Sequence, residues 1–178
     1  LGVLDLAIAV ADANQWARTH RVLGLDPGLF YLDEVRLVRV DAIESRHQVR
    51  DVALIGHEVP LHAVSDGKVL MAGMPPARLE RVLAQELPAY TEHTVTDPAR
   101  LRLEIEEILR TGFGLAEEEM EPGLSGVAAA IWSYEGRTVA ALSVSGPSSR
   151  LPGPRLVEIG SLLKETAYAQ RQVENTAA

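Results

Sequence analysis

The sequence predicts an α+β domain in which helices cover an antiparallel sheet. Two pairs of strand-like segments are each joined by a short turn, which is typical of hairpins rather than of parallel strands with helical crossovers. Between and after these pairs, apolar residues recur at helical spacing. The chain has 178 residues, a length that one domain with a single hydrophobic core can fill.

The N-terminal part contains an amphipathic segment followed by the first hairpin. Residues 3–19 carry an imperfect helical stripe that has no evident partner within the chain. Strand-like runs at 21–25 and 29–32 flank a turn at 26–28. Residues 35–40 follow, and in them apolar side chains alternate with charged ones. This part is therefore predicted to form a helix and a hairpin.

A short strand and two helices come next. Runs at 52–55 and 59–61 flank a turn. The segment 65–72 is predicted to be a helix that begins with a cap, and a second helix is expected after the two prolines at 75–76. Both helices would lie between the two hairpins in the chain.

The second half contains the clearest helix and the clearest hairpin. The helix begins at Asp97 as N-cap, carries Pro98 in its first turn and ends at Gly112. Strand-like runs at 127–134 and 138–144 are separated by three turn residues and form the strongest hairpin signal in the chain.

The last helix is expected to begin near Pro154 and to fray after about Gln172. We divide the chain into an N-terminal helix or linker over about 1–19 and a core over about 20–172. Because the chain starts at Leu1 rather than at methionine, we expect further sequence in front of it.

Composition excludes several classes of function. The chain contains no cysteine, which removes disulfides, thiol nucleophiles and cysteine-ligated metals. Its formal charge of −8 argues against binding of duplex DNA by this chain alone, and aromatic residues at 4% leave few platforms for base stacking. No apolar run is long enough to span a bilayer, so we expect a cytoplasmic protein with no membrane partner.

Three catalytic or cofactor motifs are incomplete. Gly112 and Gly114 begin like a dinucleotide fingerprint, but Glu117 stands where the third glycine is needed. The pair at 67–68 lacks the first glycine and the hydroxyl of a phosphate loop. The segment 123–127 lacks the second glycine of a nucleophile elbow. We therefore predict no catalytic residue and no cofactor.

Histidines and acidic residues give little support for a metal site. Among the five histidines, only His57 and His62, beside Glu58, could approach one another, and we interpret them as surface or hydrogen-bonded residues. The acidic run at 117–121 is interpreted as a solvated loop. It would act as a proton donor or a hard-cation site only if some of its carboxylates were buried together. A binding domain without metal is the better prediction.

Several stretches resemble one family of regulators. The sequences GFGLAEEE at 112–119, PGLSGVAAAI at 122–131 and LSVSGPSSRL at 142–151 are similar to the signature region of IclR-type bacterial transcription regulators. The sequence PLHA at 60–63, followed by Gly-Lys at 67–68, resembles the second landmark of that family. Patches that match in order and spacing are more specific than a single motif.

The resemblance implies the C-terminal effector-binding domain of such a regulator. Its expected fold is a GAF-like or profilin-like antiparallel sheet with helices on both faces and a small-molecule pocket. In the full-length relatives a winged helix-turn-helix precedes this domain, and nothing in this sequence resembles one. The resemblance therefore implies DNA binding only through the absent N-terminal domain, and assembly as a homodimer or homotetramer.

The resemblance also implies a set of ligand-binding residues. They are Gln48, Asp51, Ser65, Asp66, Gly67, Ala116, Gly126, Ser143 and Ser145. Backbone amides at the start of the helix near Gly67 would attract an anion, and hydroxyls at two alternate positions of one strand would share a face. Ser143 and Ser145 could equally be ordinary small residues in a strand.

Two departures from the family pattern affect the expected ligand. The family commonly has aspartate where this chain has Ala116, and often cysteine where it has Gly126, so we expect a roomier pocket and an aromatic or branched organic acid. Asp66 adds an acid that Arg46 or Arg50 could neutralise. If Asp66 stays ionised and faces inward, a ligand bearing an amine or hydroxyl becomes the better expectation.

The first hypothesis for function is an effector-sensing domain whose ligand biases the geometry of an oligomer and hence of the attached DNA readers. The alternatives are a GAF-like sensor module of another signalling protein and, less favoured, a small hydrolase or isomerase that uses the acidic loop at 117–121.

Overall fold

The computed structural model describes residues 26–33, 36–42, 48, 56, 58–132 and 136–176. The strands are β1 (Asp26–Asp33), β2 (Arg36–Ala42), β3 (Glu58–Val59), β4 (Phe113–Glu117), β5 (Leu124–Trp132) and β6 (Thr138–Pro147). The helices are α1 (Ser65–Ala72), α2 (Pro76–Leu83), α3 (Pro98–Thr111) and α4 (Gly153–Thr176), with a short 3-10 helix at Leu61–Ala63. The strands form one antiparallel sheet in the order β3-β2-β1-β6-β5-β4.

Alternate residues of β5 face two different helical layers. Val127 packs with Leu156 of α4 on one face of the sheet. Ala128 belongs to the core on the other face, together with Val69 of α1 and Leu101 of α3. Because successive side chains of a strand point to opposite faces, one strand serves both cores. The predicted α+β fold with helices on both faces of an antiparallel sheet is confirmed.

Helix α3 begins and ends where the sequence indicates. The side chain of Asp97 accepts a hydrogen bond of 3.0 Å from the N–H of Ala99. At the other end, Gly112 has a φ of 88° and donates its N–H to the carbonyl oxygen of Ile108. Glycine is favoured in this left-handed conformation because it has no Cβ.

Two predicted boundaries near the start of the chain are wrong. The expected turn at 26–28 lies inside β1, because these residues pair with β6, where Asp26 stands opposite Ser145 and Gly28 opposite Ser143. The expected strand at 59–61 is shortened, because β3 covers only Glu58–Val59 and the 3-10 helix follows. Pairing with a distant strand overrides the local turn signal.

Three further elements differ from expectation. Helix α1 has Val64 as N-cap with no side-chain hydrogen bond, so the predicted cap is wrong. Strand β4 was not predicted as a strand. Helix α4 continues to Thr176 instead of fraying after about Gln172.

Three predicted segments, at 3–19, 21–25 and 52–55, lie outside the described residues. Within the described part of the chain, none of the helices combines the length and the hydropathy that crossing a bilayer requires.

Candidate functional site

Helix α1 starts in the interior, and its first turn carries three of the predicted site residues. Ser65, Asp66 and Gly67 are all buried. The N-cap residue Val64 offers no side-chain acceptor to this turn. A Cβ atom on Gly67 would lie 2.1 Å from the backbone oxygen of Leu61. Backbone contact with the 3-10 helix therefore fixes where α1 begins, and only glycine fits at that contact.

A row of small residues crosses the sheet beneath this turn. In the register of β4, β5 and β6, Ala116 pairs with Gly126, and Gly126 pairs with Ser145. The Oγ of Ser65 lies over the middle of the row, 3.2 Å from where a Cβ on Gly126 would be. Ser143 precedes Ser145 by two positions and so faces the same helical layer. We call the four sheet residues Ala116, Gly126, Ser143 and Ser145 the small-residue row.

The structure brings together most of the residues that the resemblance implied. They are Ser65, Asp66, Gly67, Ala116, Gly126, Ser143 and Ser145. Gln48 is exposed, and Asp51 lies outside the described residues, as do Arg46 and Arg50. The arrangement offers hydroxyl groups and the first amides of a helix, which can hold a small anion.

The small-residue row is tightly closed. Ser143 is 2% exposed and Ala116 is 7% exposed, and only Ser145 is half-buried. The expected extra space at Gly126 is absent, because the hydroxyl of Ser65 and the start of α1 pack into the volume that a side chain at 126 would need. A ligand would therefore have to enter beside Ser145 or displace the first turn of α1.

A buried ion cluster lies next to the row, and the sequence analysis missed it. Lys68 is 1% exposed, and its Nζ donates to Oε1 of Glu119 at 2.5 Å and to Oε2 of Glu104 at 2.7 Å. Burying an ammonium group is costly unless carboxylates compensate it. The signal was available in principle, since Lys68 precedes the apolar run Val69–Met71 in a helix that starts in the core, and a buried lysine needs an acidic partner. From the sequence, Lys68 was interpreted only as part of an incomplete phosphate loop and of a family landmark.

The acidic run at 117–121 is therefore not a uniform solvated loop. Glu117 is exposed, but Glu119 is buried, and the prediction is wrong for that residue. Burial raises the pKa of Glu119, and the ammonium group of Lys68 opposes this rise. Glu118 accepts a hydrogen bond of 2.9 Å from the N–H of Gly123, which lowers the pKa of Glu118.

His62 serves as a structural hydrogen-bond donor. Its Nε2–H donates to the carbonyl oxygen of Pro88 at 2.9 Å, and its ring lies 5.9 Å from the ring of Tyr90. The interpretation of His62 as a hydrogen-bonded residue is confirmed, while His57 lies outside the described residues.

A cavity lined in part by Lys68 lies where β4 forms the edge of the sheet. This cavity has a volume of about 650 Å³ and lies between α3, β4 and α4. Lys68, Glu104 and Glu119 line one side of it, and Phe113 and Val157 line another. No member of the small-residue row lines it. We call it the sheet-edge cavity.

Comparison with known families and curated proteins gives a consistent result. The family described as "Bacterial transcriptional regulator IclR C-terminal" matches residues 7–171. The chain is 37% identical over 125 residues to the HTH-type transcriptional repressor AllR of Klebsiella pneumoniae, covering 70% of this chain and 46% of that protein. It is 31% identical over 129 residues to the transcriptional repressor IclR of Escherichia coli, covering 72% of this chain and 47% of that protein. The chain thus spans about half the length of the curated relatives it matches.

Solved structures include a similar chain with a bound small molecule. That protein is an IclR homologue from Microbacterium hydrocarbonoxydans, complexed with 4-hydroxybenzoate. The two structures align with a TM-score of 0.85 at 28% sequence identity, covering 100% of this chain and 71% of that one. The curated relatives named above are transcriptional repressors rather than enzymes.

Proposed function

The chain belongs to the IclR family of bacterial transcriptional regulators and spans its C-terminal domain, and from that premise we propose that it senses a small organic effector on behalf of a DNA-binding regulator. The observation that carries the proposal is the convergence of the first turn of α1 on the small-residue row, with the Oγ of Ser65 directly over Gly126. In the proposed division of the chain, about 1–19 form a helix or linker and about 20–172 form the sensor core.

The chemistry of this convergence supports an organic acid as effector. A carboxylate can accept hydrogen bonds from the first amides of α1, whose N-cap Val64 supplies no competing side-chain acceptor. The hydroxyls of Ser143 and Ser145 lie on the same face of the sheet and add polar contacts. The Microbacterium relative was solved with an aromatic acid. We therefore propose an aromatic or branched acid.

Asp66 decides between this ligand and a different one. Its side chain is buried in the same turn, and an ionised carboxylate that faced a ligand carboxylate would repel it. If Asp66 faces the ligand while ionised, the effector carries an amine or a hydroxyl instead. Gln48 and Asp51 remain in the proposed set as residues that close the site from the preceding segment.

The closed row gives the ligand a way to bias one conformation over another. A ligand shifts an equilibrium only when it binds one state better. Because the start of α1 fills the space over Gly126, a ligand of aromatic size must displace that turn, and it then favours the displaced state. In the full-length regulator we propose that this displacement changes the geometry of a homodimer or homotetramer, and through it the N-terminal DNA-binding domains.

The partners of this chain follow from the same proposal. A chain with a net charge of −8 is expected to leave duplex DNA unbound in an anisotropy titration at moderate salt. Sedimentation at micromolar concentration is expected to show a dimer or tetramer. We assign no catalytic role, because Glu119 in the acidic loop that a hydrolase would use is bonded to Lys68, and we propose a cytoplasmic location for the regulator. Tight DNA binding would contradict the expected lack of DNA binding, and a monomeric mass would contradict the expected oligomer.

The direct test is ligand binding with a matched pair of glycine variants. 4-Hydroxybenzoate at about 100 times its dissociation constant should stabilise the fold by about 2.7 kcal/mol in a thermal-shift experiment. Gly126→Ala places a Cβ 3.2 Å from Ser65 Oγ, whereas Gly146→Ala places one 3.6 Å from Leu151 on the other face of the sheet. We expect the first variant to weaken binding about tenfold and the second to leave it unchanged.

The proposal of an acid is wrong if no aromatic or branched acid stabilises the chain. The Asp66 alternative is then assigned if an amine stabilises the chain and Gly126→Ala weakens the binding of that amine. The proposal is also wrong if both glycine variants weaken binding equally, because the ligand then lies away from Gly126.

A further inference from the structure

We propose that the sheet-edge cavity is a second ligand site and that it binds a small organic ammonium compound, an amine whose charged nitrogen is carried on an apolar body. The cavity is about 650 Å³, within the size range of small-molecule sites. It does not include the small-residue row, so this inference stands apart from the proposed effector site.

The sign of the expected charge follows from the lining. Its carboxylates are Glu92, Glu104, Glu107, Glu117 and Glu119. Its permanent cations are Lys68, Arg100 and Arg110. Each of these cations forms an ion pair with one or two of these carboxylates. The lining is therefore acidic in balance, and a cation complements it better than an anion.

One carboxylate oxygen points to a missing donor. Glu119 is 7% exposed, and its Oε1 is bonded to Lys68. The backbone N–H of Val95 also contributes a hydrogen bond that lowers the pKa of this carboxylate, whereas within the described residues no group makes a hydrogen bond of normal geometry to Oε2. A buried acceptor without a donor is costly. Oε2 is enclosed in the structure, so an ammonium group in the cavity would supply that donor after a small movement of the Glu119 side chain, which lines the cavity.

The remaining lining suits an apolar body. Phe113 and Leu115 of β4, Ile108 of α3 and Val157 of α4 surround the opening. Val157 is 47% exposed, so binding would remove apolar surface from water. An aromatic or aliphatic body of modest size can cover these side chains while its nitrogen reaches the carboxylates.

Three probes of the same shape test the sign of the charge. Benzylamine, benzyl alcohol and benzoate are titrated into the 178-residue chain, and the amide shifts of Glu107, Arg110 and Thr111, which line the cavity and lie outside the proposed effector site, are followed by NMR. We expect saturable shifts at these residues with benzylamine, binding at least about threefold weaker with benzyl alcohol, and no saturation there with benzoate. The absence of saturable shifts with benzylamine at about 10 mM, or equal binding of the alcohol or the acid at these residues, would overturn the proposal.

A matched pair of glutamate variants locates the site. Glu117→Gln removes an exposed carboxylate that lines the cavity, and Glu106→Gln removes an exposed carboxylate of α3 that does not. We expect the first variant to weaken benzylamine binding about two- to fivefold and the second to leave it unchanged. Equal effects of the two variants would show only attraction to a negatively charged protein. Gly126→Ala should leave benzylamine binding intact, which separates this inference from the effector site.

Discussion

The small-residue row and the sheet-edge cavity both adjoin helix α1, the row at Ser65 and the cavity at Lys68, and they differ in nearly every physical property. The row is neutral apart from the neighbouring Asp66, and the first turn of α1 closes it against Gly126. The cavity is about 650 Å³, open and lined by ion pairs. The row matches the positions that the family resemblance implies, whereas the cavity was found only from the packing of helices against an edge strand.

Because one region is open and the other is closed, a bound ligand would affect the conformation of the protein differently in each. A ligand that enters a preformed opening binds without large rearrangement, so it has little effect on the rest of the molecule. A ligand that enters a closed row must move a helix, and that movement can be transmitted to other parts of a regulator. The closed row is thus compatible with effector sensing, in which the ligand changes the conformation. The open cavity suits a ligand that binds without changing the conformation.

The largest expected effect comes from breaking the ion cluster at Lys68. Lys68→Met would leave the buried carboxylate of Glu119 without its cation, so we expect the free energy of unfolding to fall by about 3–5 kcal/mol. Urea unfolding measures the change. Lys164→Met is the control, because Lys164 is exposed and bonds only the carbonyl oxygen of Thr111 among the described residues. It should cost about 1 kcal/mol or less. If both variants lower the free energy of unfolding by the same amount, the buried ion cluster at Lys68 contributes no more to stability than the exposed hydrogen bond of Lys164.

A smaller effect is expected from loosening the closed row. Gly67→Ala would place a Cβ 2.1 Å from the backbone oxygen of Leu61, so either α1 or the 3-10 helix must shift. We expect a loss of about 1–3 kcal/mol in the free energy of unfolding. Gly153→Ala, whose Cβ would lie 3.5 Å from the side chain of Glu117, should have little effect in the same unfolding experiment. If Gly67→Ala lowers the free energy of unfolding as little as Gly153→Ala does, the start of α1 moves freely and does not hold the row closed.

The smallest expected effect is a change in the pH dependence of stability. The pKa of Glu119 is raised in the folded protein by burial, above the ordinary value of 4.5. The folded state therefore binds this proton more strongly than the unfolded chain, and the free energy of unfolding falls as pH rises from 4.5 through the raised pKa. Glu119→Gln should flatten this decrease, and the exposed control Glu106→Gln should not. An unchanged pH profile in Glu119→Gln would contradict the raised pKa.

The parts of the fold that could be predicted from the sequence depend on local signals. Helix α3 was predicted from Asp97, Pro98 and Gly112, which act within a single turn at each end. The hairpin of β5 and β6 was predicted from two β-rich runs around a short turn. The grouping of Ser65, Gly126 and the residues that pair with Gly126 was expected only from the family resemblance, because the periodicity of the sequence does not indicate it.

What could not be predicted depends on contacts between distant parts of the chain. Lys68 lies 36 residues from Glu104 and 51 residues from Glu119, and no local pattern indicates which acids a buried lysine will reach. The closure at Gly126 depends on how deeply α1 packs, which follows from the backbone contact of Gly67 with Leu61. The sheet-edge cavity depends on β4, an edge strand that the sequence analysis did not assign.

The alternation of β5 makes it sensitive to the length of the chain. Gly126 and Ala128 face α1, while Val127 and Ala129 face α4. Deleting one residue within the strand would exchange these faces beyond the deletion, so that valine would meet the hydroxyl of Ser65 and alanine would replace valine beneath α4. A deletion in the preceding loop at 118–123 would leave the alternation intact. Viable length variation in homologous genes should therefore be concentrated in that loop and be rare within Leu124–Trp132.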